Sequence, residues 1–169
     1  MANGLYTETC VKRKMTAGLS LAKGGLVALT ALIIIAGIVL GQGLITFLGI
    51  AGCIALYFFL PSFNVDWEYI FCDGQIDFDR ISGGEKRKTM LKIDMDEVDI
   101  FAFEKSHELD SYNHQQGYTV KNFTSNNPDA KRFVIFTSKN GQKYKIIFEP
   151  SETMVEYAKQ KAPRKVFTM

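Results

Sequence analysis

The sequence predicts an α+β membrane protein in which a two-helix transmembrane hairpin precedes a seven-strand antiparallel β-barrel capped by a C-terminal helix. Three observations carry this expectation. Forty consecutive residues, Gly24 to Phe63, contain no Asp, Glu, Lys, Arg or His. After Pro61 the apolar run gives way to alternating residues punctuated by turn signals, and after Pro150 helical spacing replaces alternation.

A charged side chain at the bilayer centre costs roughly 2.5 to 3.5 kcal/mol, so an uncharged run of this length is the pattern that lipid imposes. One span needs about 20 residues, and forty in one helix would make a rod of roughly 60 Å, twice the hydrocarbon thickness. The run therefore divides, and Gly41-Gln42-Gly43 supplies the permissive backbone for a reversal. The expected spans are 24–41 and 44–61 within a hairpin of 24–61, after a basic cytoplasmic segment of 1–23 and before a cytoplasmic domain of 66–169. A secretory signal peptide fits poorly, because its core is short and ends at a cleavage site, whereas this run continues into a second one. A hairpin buried in a soluble core is the other alternative.

Cations set the orientation. Residues 1–23 hold Lys12, Arg13, Lys14 and Lys23 against the single acid Glu8, and the connector holds none, so both termini are expected in the cytoplasm of a two-span cell-membrane protein. Inverted topology would instead give an exported domain. Cys10, Cys53 and Cys72 form neither a disulfide framework nor a C-x-x-C pair, which suits a reducing compartment. On this topology the sequon Asn122-Phe123-Thr124 is incidental.

In the polar half, Trp67, Tyr69 and Phe71 alternate with Glu68, Ile70 and Cys72, and Asp73-Gly74 turns the chain into Ile76, Phe78 and Arg80. After Ser82-Gly83-Gly84-Glu85 come the segments KRKTMLKID and VDIFAFEKS, then the polar loop HELDSYNHQQ. GYTVKNFT and KRFVIFTS follow, and Asn140-Gly141 joins the latter to QKYKIIFE, completing seven meandering strands. Pro150-Ser151-Glu152 opens a helix with a capping residue, carrying Met154, Tyr157, Ala158 and Lys161 on one face until Pro163.

This order of elements resembles the pleckstrin-homology (PH) superfold, and specifically the bacterial PH-like domains that follow membrane helices. The residues that carry the resemblance are WEYIFCDGQIDFDRI, LKIDMDEVDIF and the terminal PSETMVEYAKQ. With its basic N-terminus, double span and RKVF tail, the chain is similar to a small family of uncharacterised bacterial membrane proteins. The resemblance implies a PH-like barrel that binds lipid headgroups or peptides. In the eukaryotic family phosphate-binding cations flank the first hairpin loop, but Cys72-Asp73-Gly74-Gln75 is short and acidic here.

The remaining candidates for lipid or partner binding are Lys86, Arg87, Lys88 and Lys92 on the third expected strand, with Lys131, Arg132, Lys143 and Lys145 on the sixth and seventh. Each could gain roughly 1 kcal/mol near an anionic surface. Against this, of 20 cations and 18 acids, 16 and 17 follow the N-terminal segment. The domain is thus near neutral, the lysines also serve as solvated edge protection, and nucleic acid is not an expected partner.

His107, Glu108, Asp110 and His114 share a loop, the only candidate centre for a membrane-bound enzyme, but their spacing matches no metal-ligand set. Asp77 with Asp79, and Asp94 with Asp96, lack the glycine and terminal Glu of a calcium loop, and SGGEKRKT lacks phosphate-loop spacing. No catalytic residue, metal or cofactor is expected. In the spans, Gly37, Gly41, Gly49 and Cys53 offer small faces that pack the hairpin or form a homodimer. Thr30, Gln42 and Thr46 are too few polar groups to line a permeation path. The expected function is a membrane-anchored, non-enzymatic PH-like binding or scaffolding module that recognises a partner protein or the lipid surface.

Overall fold

The computed structural model describes residues 4–14, 17–59 and 65–168. The expected end of the second apolar segment at Pro61, and the link through Phe63, lie outside them. The fold is mixed α+β, with four helices and two sheets among the described residues.

Helix α1 runs Ala17–Val39 and α2 runs Gly43–Phe59, with Gly41 at φ +64° in the turn between them. Close approach of the two helices depends on glycine. A Cβ on Gly37 would meet the Thr46 backbone nitrogen at 2.5 Å, and one on Gly49 would meet the Ile34 side chain at 2.5 Å. Gly52, and not Cys53, makes the next contact, with Thr30. The stretch Ser20–Val39 is long and apolar enough to cross a membrane, and almost none of it is covered by the rest of the protein. At 17 residues α2 is apolar but shorter, roughly 26 Å at the ordinary rise per residue.

The first sheet has the order β1-β2-β3-β4, formed by Tyr6–Lys12, Val65–Cys72, Gln75–Ser82 and Lys86–Asp94. All neighbours are antiparallel. Strand β1 was not anticipated: it lies before the apolar helices, within the segment read as a separate basic N-terminus, yet all seven of its residues pair with β2, from Tyr6 opposite Cys72 to Lys12 opposite Asp66. The β2–β3 turn takes the geometry expected of Asp-Gly, with Asp73 at φ 49° and Gly74 at φ 105°.

The second sheet has the order β6-β8-β7-β5-β9, from Tyr118–Asn122, Gln142–Phe148, Phe133–Lys139, Val98–Phe103 and Val166–Phe167. The expected seven-strand barrel is therefore corrected to nine strands in two open sheets among the described residues. Strand β6 pairs parallel with β8, and not antiparallel with a sequence neighbour. The reason is the segment between β5 and β6. The expected polar loop forms a 3₁₀ turn, His107–Leu109, and a short helix, α3, Asp110–Asn113, that cross the outer face of this sheet. Leu109 (1% exposed) and Tyr112 pack there on Ile100, Val134 and Phe136, and this apolar bridge carries the chain to the far edge before β6 begins.

Between the sheets lies the main core, in which Tyr69, Phe71, Phe78, Phe101 and Phe148 are fully buried. Helix α4, Glu152–Lys161, enters this core with Met154, Val155 and Ala158. The Ser151 hydroxyl caps it by accepting from the Met154 amide at 3.3 Å. Burying rings of this size contributes on the order of 2–3 kcal/mol each, which makes the aromatic face of β2 and β3 the centre of the fold.

Candidate functional site

Strand register decides where the cations go. Strand β1 ends at Lys12 beside the start of β2, Val65 lies opposite Ser82, and Ser82 lies opposite Lys86. The end of the first sheet from which α1 departs, and to which α2 returns, therefore gathers Lys12, Arg13 and Lys14 with Lys86 and Lys88, all exposed. Asp66 and Glu85 are the acids nearest this rim in sequence and register. Lys14 is held in place, its amide donating to the Ser125 carbonyl at 2.7 Å and its Nζ to Asn127 Oδ1 at 3.0 Å.

The other predicted cations are committed within the protein. On the outer face of the first sheet Glu68 and Asp79 lie opposite one another, and both are nearly inaccessible, at 4% and 5% exposure. Arg87 closes over them, paired with Glu68 and lying 3.8 Å from Asp79. A register shift between Phe78 and Asp79 accompanies this crossing. Burial, then the neighbouring Glu8 carboxyl, push the Glu68 carboxyl above its ordinary range, while Arg87 opposes them. Glu8 is held lower, first by the Tyr6 hydroxyl that donates to it at 3.0 Å.

Lys92 pairs with Asp77, and the contact raises the lysine. Lys131 reaches Glu152 at 3.5 Å, and Arg132 donates to the Asn127 carbonyl at 2.9 Å between Glu104 and Glu149. Of the eight cations singled out in the sequence, Lys86 and Lys88 thus remain on the rim without a carboxylate partner among the described residues.

Lys145 lines a different place, a cleft of about 330 Å³ between α3 and the β6 edge, and Lys143 lies over the ring of Tyr118 in its wall. Tyr112, Tyr118 and Phe136 wall it, with Tyr118 edge-on to Phe136 at 4.8 Å. Lys145 donates to Asn113 Oδ1 at 2.6 Å and sits over the Phe136 ring, and Lys143 sits over the Tyr118 ring. Burial, with a smaller push from Asp99, raises the Tyr118 phenol. Sequence reasoning missed this cleft. The available signal was Leu109 with Tyr112, an apolar pair at helical spacing inside a stretch read as loop. A second cleft, of about 420 Å³, runs between α4 and the ends of β5 and β7, with Glu152 and Lys131 at its mouth.

Of His107, Glu108, Asp110 and His114, the structure brings His107 and Asp110 together. His107 is fully exposed with Nδ1 3.4 Å from Asp110, and Glu108 donates its amide to the Ser106 hydroxyl. Among the described residues no group of three His, Cys, Asp or Glu could hold a metal. Asp94 caps its own turn by accepting from the Asp96 amide at 2.9 Å. The three cysteines are free and exposed.

The family model described as Bacterial PH-like domain (DUF6106) matches residues 3–168, a range that takes in β1, both apolar helices, both sheets and α4. No curated protein and no solved structure matches the chain. Its strands and C-terminal helix thus sit within a family whose model also spans the N-terminal strand and the apolar helices, and the chain belongs to this bacterial PH-like domain family.

Proposed function

We propose that this protein is a membrane-anchored binding or scaffolding module, with α1 and α2 crossing the bilayer as a hairpin and the PH-like module seated on the cytoplasmic face. Its basic rim, Lys12, Arg13, Lys14, Lys86 and Lys88, rests on the anionic headgroups of the inner leaflet. The rest of its surface is free to receive a partner protein. In this reading it is not an enzyme.

One observation carries the proposal, the pairing of β1 with β2 across the two helices. A chain that leaves a sheet and rejoins the same sheet at the same end must make an even number of crossings. The same pairing argues against a cleaved leader, because cleavage after α1 would strip the sheet of an edge strand. A soluble helical core is argued against separately by the exposure of large apolar residues such as Leu21, 76% exposed. Juxtamembrane cations are worth about 1 kcal/mol each near an anionic surface, which suits a rim seated there and not a long-range tether.

Cys10 before the hairpin and Cys72 after it are both exposed, and they provide the test. A membrane-impermeant maleimide should label neither in intact cells and both in inverted membrane vesicles. Labelling of either thiol from outside intact cells ends the proposal.

A further inference from the structure

Four strands bound the two sheets, and three of them are accounted for. Strand β1 is contacted by the start of α4, with Thr9 Oγ1 donating to Ser151 Oγ at 3.0 Å, and β9 is only two residues long, Val166–Phe167. Strand β4 begins at the rim and carries lysine or arginine at its first three positions, the pattern that blocks strand addition. Strand β6 carries a single lysine, Lys121, among its five residues and has no strand on its outer side.

Its backbone is also turned the right way. The Phe123 amide donates to the Ile147 carbonyl on β8 at 2.9 Å. Backbone groups alternate along a strand, so Thr119 and Lys121 bond β8 too, and the N–H and C=O of Val120 face outward. The Val120 side chain is 58% exposed at the same spot. Beside it opens the 330 Å³ cleft, and Lys143 and Lys145 lie opposite Tyr118 and Val120. None of the residues that wall the cleft is acidic.

We propose that the β6 edge is a docking site for an extended acidic segment of a partner protein. The segment adds as a strand outside Tyr118–Asn122, its backbone bonded to Val120, with carboxylates facing Lys143 and Lys145 and an aromatic or aliphatic side chain against Tyr118 in the cleft. A second copy of this chain is the wrong occupant, because its own β6 edge, Tyr118–Asn122, offers no carboxylate to Lys143 and Lys145 and brings Lys121 to the seam from both sides. The site shares no residue with the basic rim, and its chemistry does not depend on how the helices cross the bilayer.

The test uses the full chain in nanodiscs of zwitterionic lipid and fluorescein-labelled heptapeptides read by anisotropy. The probe Thr-Glu-Thr-Tyr-Thr-Glu-Thr should bind saturably, with affinity that falls as salt rises, and at least about tenfold more tightly than its Thr-Lys-Thr-Tyr-Thr-Lys-Thr counterpart. Val120→Pro removes one outward donor at an edge position that tolerates proline and should weaken the probe about tenfold. Lys145→Glu should do the same through charge, and it keeps the test decisive if Val120→Pro does not fold. Lys86→Glu, on the rim, should leave binding unchanged. Equal binding of the two peptides, absence of saturable binding of the acidic one, loss through Lys86→Glu, or wild-type affinity in Lys145→Glu each overturns the proposal. Maleimide labelling of Cys10 and Cys72 reads the topology separately, so failure here leaves that reading standing.

Discussion

Lys12, the last residue of β1, lies directly opposite Asp66 near the start of β2, so the two ends of the apolar hairpin are fastened to each other by a strand ladder. The ladder continues to its far end, where Tyr6 faces Cys72. Directly opposed antiparallel residues have Cα atoms about 4.5–5.5 Å apart, inside the disulfide range. Tyr6→Cys should therefore form an intramolecular disulfide with native Cys72 under mild oxidation. Titratable thiols in the detergent-solubilised protein would drop from four to two, with faster migration on a non-reducing gel. Four thiols remaining after oxidation would mean that β1 is not in this sheet.

Tyr69 crosses the core to donate its hydroxyl to the Phe123 carbonyl. Tyr69→Phe leaves that buried carbonyl without its donor and should cost about 1–3 kcal/mol, read as a lower thermal midpoint. Trp67, the single tryptophan, is packed on Phe123 and supplies the fluorescence signal. Burial also pushes the Tyr69 phenol above the ordinary tyrosine range. The folded protein thus holds this proton where the unfolded chain releases it near pH 10. Its contribution to stability is complete below that pH and declines as pH rises beyond it. The alkaline loss of stability should be shallower in Tyr69→Phe, with the slope from Tyr6 and Tyr118, both also raised, left in place.

Local chemistry explains which parts of this fold could be read in advance. The Asp73-Gly74 and Asn140-Gly141 turns, the Ser151 cap and the Gly41 reversal each depend on a few adjacent residues whose backbone preferences speak for themselves. Strand β1 was invisible because YTETCVK buries no residue fully and finds its partner only beyond two helices. The parallel β6–β8 pair was invisible for a related reason: strand alternation specifies a face but not a neighbour. The cations show the same limit. Lys86, Arg87 and Lys88 look equivalent in sequence, and only register separates Arg87, closed over Glu68 and Asp79, from its neighbours on the rim.

That separation has measurable consequences. Arg87→Ala leaves Glu68 and Asp79 buried without a cation and should destabilise the protein by about 2 kcal/mol. Lys86→Ala and Lys88→Ala remove solvated charges and should change stability by less than about 0.5 kcal/mol. The double variant Lys86→Ala/Lys88→Ala should instead lower the ratio of anionic to zwitterionic phospholipid that co-purifies in mild detergent, whereas Lys92→Ala should not. An unchanged lipid ratio in the double variant would remove the rim from the lipid contact.

The hairpin glycines divide in the same way. A Cβ on Gly37 would strike the Thr46 backbone at 2.5 Å, and backbone cannot rotate aside, so Gly37→Ala should force the helices apart at a cost of roughly 1–3 kcal/mol. At Gly25, in the same helix, a Cβ meets nothing within 4 Å. Gly25→Ala should then be neutral or stabilise the helix by up to about 1 kcal/mol, since alanine costs less backbone entropy there. Unfolding by added dodecyl sulfate from mild detergent micelles, followed by far-ultraviolet dichroism, should shift to lower denaturant for Gly37→Ala alone. Equal shifts for both variants would mean that helix propensity, and not close packing of α1 on α2, sets the stability of the hairpin.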